Sequence, residues 1–142
     1  MDTRIAKLGE YLEAILKTLN SKYKKINADF LGLEVNNYSL DKIPTASTVE
    51  PWPLLGIRIC RDVYSFRSRN PYSSDRLNNL NNIGFFEEFE SIIKSNNDNG
   101  IWPEIKNIER IECLNCGTFN NADASEKTAE FGIQLQITYR ED

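Results

Sequence analysis

The sequence contains no histidine, the side chain that most often transfers protons near neutral pH. Its absence excludes Ser-His-Asp and Cys-His nucleophile pairs and metal sites of the HExxH type. Basic residues are not in excess either, because 17 Lys and Arg against 21 Asp and Glu give a formal net charge of −4. A general binder of the nucleic-acid backbone normally carries a basic excess. We therefore expect neither an enzyme nor a protein that binds nucleic acid specifically.

Long apolar runs are also missing, and cysteines are few. No run approaches the roughly 18 residues that a membrane span needs. The first residues, Met1 to Arg4, lead directly into an amphipathic pattern without the apolar core of a signal peptide. The 3 cysteines are an odd number, which fits a reducing cytoplasm better than a secreted disulfide framework. These absences predict a soluble cytoplasmic protein that binds no membrane.

What is present is an ordinary globular composition, with 40% hydrophobic and 27% charged residues over a length of 142. A chain of that length can bury a core without a disulfide or a metal. There is no internal repeat and no linker-like segment. We therefore predict one domain that spans residues 1–142.

Two segments have helical periodicity. The first begins at Asp2 or Thr3, ends near Asn20, and repeats apolar residues every three or four positions. The second begins at residues 73–75 and ends at residues 96–100, which read Asn-Asn-Asp-Asn-Gly. Gly84 is expected to kink or divide it.

Four segments are predicted strands: residues 26–35, 54–66, 105–114 and 128–139. In the last, every second residue from Ala129 to Tyr139 is apolar, which is typical of a sheet with one buried face. In the second, Leu55, Ile57, Ile59 and Val63 are expected to share a face. Residues 36–52, 67–74 and 117–127 are expected to be loops or turns. The predicted fold is α+β, with a mainly antiparallel sheet of about four strands and two main helices packed on one face.

Cys113 and Cys116 form a CxxC motif, which can supply half of a tetrathiolate zinc site. The only other cysteine is Cys60, and a carboxylate would have to complete the ligand set. Redox CxxC pairs lie at a helix N-terminus, whereas this pair lies at the end of a predicted strand, before a loop. We therefore expect structural cysteines and no metal or cofactor, with zinc and redox roles as alternatives. Glu87, Glu88 and Glu90 are interpreted as the solvated face of the second helix.

Arginine and aromatic residues are interleaved around the second strand, which carries Tyr64 and Phe66. The arginines are Arg58, Arg61, Arg67 and Arg69. Such a pattern can stack on single-stranded nucleic acid. The same residue types are enriched at protein–protein interfaces. Trp52 and Trp102, each beside proline, anchor loops or contact a partner.

An ordered set of short motifs spans most of the chain. They are Ile26-Asn27-Ala28-Asp29-Phe30-Leu31-Gly32, Tyr38-Ser39-Leu40-Asp41 with Ile43-Pro44, Gly84-Phe85-Phe86-Glu87-Glu88-Phe89-Glu90, Gly100-Ile101-Trp102-Pro103, Ile111-Glu112, Gly117-Thr118-Phe119, Ala122-Asp123-Ala124, and Ala129, Gln134 and Tyr139. In this set the chain resembles the small tail-completion proteins, often labelled minor capsid proteins, of phages and phage-like particles of Gram-positive bacteria.

The resemblance implies a tail terminator: a ring, commonly of six subunits, that caps the finished tail tube and joins it to the neck. Its partners would be further copies of itself, the tube protein, and sheath or neck proteins. It would assemble in the host cytoplasm and end in the neck region of the particle. The residues that we assign to its contacts are Tyr38, Trp52, Arg58, Arg61, Arg67, Trp102, Gln134 and Gln136. Alternatives are a head–tail connector and a cytoplasmic binding module that uses the arginine and aromatic surface.

Overall fold

The computed structural model describes residues 3–19, 25–28, 37–71, 76–115, 118–123 and 128–141. Within these ranges there are two α-helices, α1 (Arg4–Thr18) and α2 (Arg76–Asp98). The strands are β1 (Lys25–Ala28), β2 (Asn37–Lys42), β3 (Thr48–Trp52), β4 (Ile57–Pro71), β5 (Ile108–Cys113), β6 (Thr118–Asp123) and β7 (Thr128–Glu141). Two short 3₁₀ turns, η1 (Pro44–Ala46) and η2 (Pro53–Leu55), flank β3. The predicted α+β fold is confirmed. Neither of the two helices is both long enough and apolar enough to cross a membrane.

Two long antiparallel strands, β4 and β7, form the centre of the sheet and pair from Arg58 opposite Glu141 to Pro71 opposite Thr128. The outer edge of β4 pairs with β2 along one half and with β3 along the other. The outer edge of β7 pairs in the same way with β5 and β6. Only β1, which pairs with β2, is parallel to its neighbour among the described strands. The sheet is mainly antiparallel as predicted, but it has seven described strands rather than four.

One face of this sheet packs against both helices. The predicted buried face of β7 is confirmed from Phe131 to Tyr139, where every second residue is buried. The residues that α1 and α2 contribute to the same hydrophobic cluster include Leu8, Leu12, Leu16, Phe86, Phe89 and Ile93. Thr3 caps α1 by accepting a hydrogen bond from the backbone N–H of Ala6 (3.2 Å). The prediction that both helices pack on one face is therefore confirmed.

Ile57, Ile59 and Val63 share one face of β4 as predicted, but it is not the face that packs against the helices, and Leu55 lies before the strand in η2. Pairing with β7 sets Phe66 opposite Ile133 and Cys60 opposite Tyr139, so the even-numbered residues of β4 face the helices. Ile59 and Val63 are buried as well, but on the other face and outside the main cluster. Since both parities of β4 carry apolar residues, the sequence alone does not determine which one faces the core.

Several predicted boundaries also change. The predicted loop at residues 36–52 contains β2 and β3, and the predicted loop at 117–127 contains β6. The predicted turn at 67–74 is wrong over its first part, because β4 continues to Pro71. Helix α2 is continuous through Gly84, since one glycine costs only about 1 kcal/mol within a helix. The strand predicted at 26–35 is present as β1, and its remainder lies outside the described residues.

Asn97, near the end of α2, closes part of the β5 edge. Its side-chain Nδ2 donates to the carbonyl oxygen of Ile111, while its Oδ1 accepts from the Ile111 N–H at 3.0 Å. The same Oδ1 accepts from Trp102 Nε1 at 2.9 Å. The Asn97 amide therefore hydrogen-bonds both the N–H and the carbonyl oxygen of Ile111 on the open edge of β5, as a neighbouring strand would.

We expect Asn97→Ala to lower the free energy of unfolding by about 2–3 kcal/mol, because it leaves partly buried backbone groups of Ile111 unpaired. The matched control is Asn99→Ala, since the Asn99 side chain bonds only locally to Ser95 and is exposed. Urea unfolding followed by circular dichroism measures both variants. Equal losses in the two variants would contradict the assigned role of Asn97.

Candidate interaction surface

The sheet face opposite the helices is an open surface with a shallow groove. The groove has a volume of about 480 Å³ and lies across β3, β4, β7 and β5. Its lining residues are Trp52, Ile57, Ile59, Arg61, Glu109, Arg110, Glu112, Thr138 and Arg140. Trp52 and Arg61 were predicted contact residues, and Gln136 borders the groove by donating from Nε2 to Glu112 Oε1 at 3.0 Å.

The arginines of this groove are paired with carboxylates. Arg61 Nη1 lies 3.2 Å from Glu50 Oε2, and Arg140 Nε lies 3.2 Å from Glu109 Oε1. Arg110 reaches Glu112 at 3.7 Å. Such exposed pairs contribute little to stability, but they cancel much of the positive potential that an anionic ligand would need. The groove therefore suits a polar protein surface better than a phosphate backbone.

Arg67 holds three strands together. Its Nη2 lies 2.8 Å from Asp41 Oδ2 on β2 and donates to Ser39 Oγ at 3.1 Å, while its Nη1 lies 3.3 Å from Glu130 Oε1 on β7. Its side chain is largely buried by these partners. Arg67 thus acts mainly within the chain, where it fixes the register of β2 against β4.

The other predicted contact residues are dispersed. Tyr38 is 2% exposed and stacks on Phe66 with ring centroids 5.3 Å apart, so it belongs to the core. Arg58 is exposed and pairs with Glu141 at 3.6 Å. Gln134 is exposed on β7, and its N–H donates to Asn115 Oδ1 at 2.6 Å. Trp102 is partly exposed beyond the β5 edge.

An exposed apolar cluster, which we call the hairpin tip, was missed in the sequence. It consists of Leu54 and Leu55 on η2 beside Trp52, which alone of the three was predicted as a contact residue. Val49 is also exposed, but it lies opposite Cys60 and therefore on the other face of β3 from Trp52, which lies opposite Ile57. Leu54 is fully exposed and Leu55 is 63% exposed. Gly56 ends η2 with φ of 66°, a left-handed conformation that favours glycine and turns the chain into β4. A turn is indicated in the sequence by two prolines and a glycine around the leucines, in the run Pro51-Trp52-Pro53-Leu54-Leu55-Gly56. The sequence analysis instead placed Leu54 and Leu55 at the start of a strand.

A buried carboxylate, Asp62, forms a polar cluster on the helix side of β4. Its Oδ2 lies 3.3 Å from Arg4 Nε and accepts from the Tyr139 hydroxyl at 3.2 Å. Its Oδ1 lies 3.7 Å from Lys42 Nζ. Burial, and secondly the Asp62 charge, raise the pKa of Tyr64 to about 12 and raise the pKa of Tyr139 as well. Asp62 therefore ties the N-terminus of α1 to the sheet.

We expect stability to fall as the pH rises from about 10 to 12. The phenol of Tyr64 has a pKa of about 10 in the unfolded chain and about 12 in the folded protein. Its stabilising contribution is complete below about pH 10. As the pH rises from about 10 to 12 the unfolded chain loses this proton more readily than the folded protein does, so the free energy of unfolding falls. Urea midpoints at several pH values between 8 and 12 measure the loss. Tyr64→Phe is the control and should flatten the decline. An unchanged slope in that variant would contradict the role of Tyr64.

The cysteines form no metal site within the described ranges. Cys60 is buried and Cys113 is half-buried, while Cys116 lies outside the described residues. No group of three or more Cys, Asp or Glu side chains capable of holding a metal ion occurs in the described part of the chain. The zinc and redox alternatives at Cys113 and Cys116 stay predictions, which the double Ser variant would test.

Comparison with known proteins assigns no family. The sequence matches no protein-family model and has no significant match among curated proteins. The surfaces therefore have to be interpreted from their own geometry and from the sequence motifs.

Proposed function

We propose that this protein is a structural assembly protein of the tail-terminator kind, which forms a closed ring and caps the tube of a phage or phage-like tail. The ring would contain roughly six subunits and join the tube to the neck. It would assemble in the host cytoplasm and remain in the neck region of the finished particle. The proposal starts from the ordered motifs of the sequence, several of which lie on α2 and β7.

The observation that carries the proposal is a pair of different exposed apolar patches on one small chain. One is the hairpin tip, and the other is Ile101 with Trp102. A ring of identical subunits requires a heterologous interface, in which one patch meets a different patch on the neighbour. Exposed apolar patches that are rimmed by polar residues can mark protein–protein interaction sites. Their presence supports assembly rather than catalysis.

The mechanism would be steric. A ring that covers the last layer of tube subunits occupies the surfaces on which the next layer would add, so the tube stops growing. The acidic net charge of −4 suits a channel through which DNA passes without being held. The groove on the open sheet face, with its paired charges, is a polar surface that suits contact with tube or neck proteins.

A binding module for an anionic partner is the weaker alternative. It would use Arg58, Arg61 and Arg67, but each of these arginines already lies within 3.6 Å of a carboxylate oxygen of the same chain. An anion would have to displace those carboxylates. A head–tail connector is closer to the proposal, because it also works as a ring at the neck.

The test is to polymerise tail-tube subunits, taken from the particle whose genes flank this one, with and without the purified protein. We expect tubes that stop growing and carry extra ring-shaped density at one end in electron micrographs. An unrelated acidic protein of similar mass is the control. Tubes of unchanged length with bare ends would overturn the proposal, whereas density only on the portal complex would favour the connector alternative.

A further inference from the structure

We propose that Asn99 is a site of spontaneous deamidation, a covalent modification that rebuilds the end of α2 as the protein ages. Asn99-Gly100 is the only Asn-Gly pair in the sequence. Glycine after asparagine favours this reaction, because it places no side chain beside the backbone nitrogen that attacks. The reaction needs no second copy of the chain and is therefore independent of the proposed ring.

The reaction is an intramolecular substitution. The backbone nitrogen of Gly100 attacks Cγ of the Asn99 side chain and forms a C–N bond, while the Asn99 amide nitrogen leaves as ammonia and takes up the proton of the Gly100 N–H. The product is a cyclic succinimide. Water then opens the ring at one of its two carbonyl carbons. The result is aspartate or isoaspartate, in which the chain runs through the side chain.

Both residues of the pair lie on the surface. They are exposed and come directly after α2, which ends at Asp98. Gly100 has a φ of 69°, and apart from its chain neighbours no heavy atom of the described residues lies within 4 Å of the place that a Cβ would occupy. Water therefore reaches the pair, and the cyclic intermediate has room to form.

Two local hydrogen bonds restrain the pair in the folded protein. The Gly100 N–H donates to the Asn97 carbonyl oxygen at 3.3 Å, and Asn99 Nδ2 donates to the Ser95 carbonyl oxygen at 3.0 Å. Both bonds must open before the nitrogen can attack. They belong to an exposed helix end, where local opening costs little free energy. Fraying of the last turn of α2 is therefore sufficient for the reaction, and global unfolding is not required.

Isoaspartate is incompatible with the turn that ends α2. That turn is a Schellman motif, in which the Ile101 N–H donates to the Asn96 carbonyl oxygen at 2.8 Å, around the inner bond from Gly100 to Asn97. An isoaspartate at position 99 adds one carbon atom to the backbone between the partners of both bonds. It also adds a negative charge at the negative end of the helix dipole, where the last turn carries no basic residue.

The change extends to β5 through Asn97. Trp102 follows the rebuilt turn and donates to Asn97 Oδ1 at 2.9 Å, and the same oxygen accepts from the Ile111 N–H. Without the Schellman bonds, Trp102 is no longer held beside this acceptor. Ile93, the last buried apolar residue of α2, lies before the altered turn. We therefore expect deamidation to weaken the contact between α2 and β5 and to leave the core intact.

The test incubates the folded protein at mildly alkaline pH, with a parallel sample unfolded in urea. Trypsin cleavage after Lys94 and Lys106 gives one peptide that contains Asn96, Asn97 and Asn99, so two asparagines are internal controls. Mass spectrometry with electron-transfer fragmentation locates the exchange of NH₂ for OH and distinguishes isoaspartate from aspartate. We expect the folded rate at Asn99 to lie within about tenfold of the unfolded rate, because a fraying helix end opens at little cost.

Asn99→Ala is the matched variant, because it lacks the amide and cannot react. The urea midpoint of aged wild type should fall below that of fresh wild type, whereas aged and fresh Asn99→Ala should agree. An Asn99 amide that survives in the folded protein while the unfolded chain loses it would overturn the inference. Equal rates at Asn96 or Asn97, or an unchanged midpoint after conversion to isoaspartate, would overturn it as well.

Discussion

Replacing Phe89 by alanine is expected to lower the free energy of unfolding by about 3–5 kcal/mol, the range found for truncating a buried aromatic residue. Phe89 is completely buried on α2 and stacks on Phe66 of β4 with ring centroids 5.5 Å apart. Phe66 in turn stacks on Tyr38 of β2 at 5.3 Å. The substitution would therefore remove a buried ring that joins α2 to β4, and leave a cavity between the helix and the sheet.

Phe85→Ala is the control on the same helix, because Phe85 is only partly buried and packs at the margin of the core. We expect it to cost about 1–2 kcal/mol. Urea unfolding of both variants, with the slope m compared to ensure that the unfolded state is unchanged, gives the difference. Equal costs would mean that the stacked rings do not join the layers as described.

The parts of the fold that could be predicted are those with one clean periodicity. In β7 the apolar residues alternate strictly, and the structure buries that alternate set. In α1 they recur at helical spacing, and Thr3 supplies a cap where the pattern begins. Each of these segments has a single face that can be buried, so local residues determine the outcome.

The parts that could not be predicted depend on distant partners. Strand β4 has apolar residues at both odd and even positions. Its pairing with β7, which is 14 residue pairs long, turns the even-numbered residues toward the helices. Strand β3 is short and fully exposed and carries Pro51, so it lacks the usual strand pattern. Arg67 reads as part of a polar turn, but carboxylates from β2 and β7 allow it to sit within a strand.

The candidate surface was predicted only in part, for the same reason. Trp52, Arg61 and Gln136 do gather around the groove, because the register of β3, β4 and β7 brings them together. Tyr38 lies in the core, because its side chain is on the face of β2 that packs against the helices. Leu54 was missed because exposure of a leucine depends on what covers it, and sequence spacing carries no information about that.

Asp62→Ala is expected to lower the free energy of unfolding by about 3 kcal/mol. The Asp62 side chain is almost completely buried, and it accepts from Tyr139 and pairs with Arg4 and Lys42. Removing one member of a buried ionic cluster leaves the others without their partner. Arg4 and Lys42 are half-exposed and can turn to water, which keeps the loss at the lower end of the range for buried pairs.

Glu50→Ala is the matched control, because Glu50 forms a pair of similar length with Arg61, at 3.2 Å, but is 54% exposed. Its expected cost is at most about 0.5 kcal/mol. Asp62→Asn separates charge from shape, since asparagine keeps the size and one acceptor but loses the negative charge. If Asp62→Asn unfolds at the same urea concentration as the wild type, the ion pairs contribute nothing and the cluster stabilises α1 through packing and the tyrosine hydrogen bond alone. A loss close to that of Asp62→Ala would mean that the buried charge itself holds the N-terminus of α1 on the sheet.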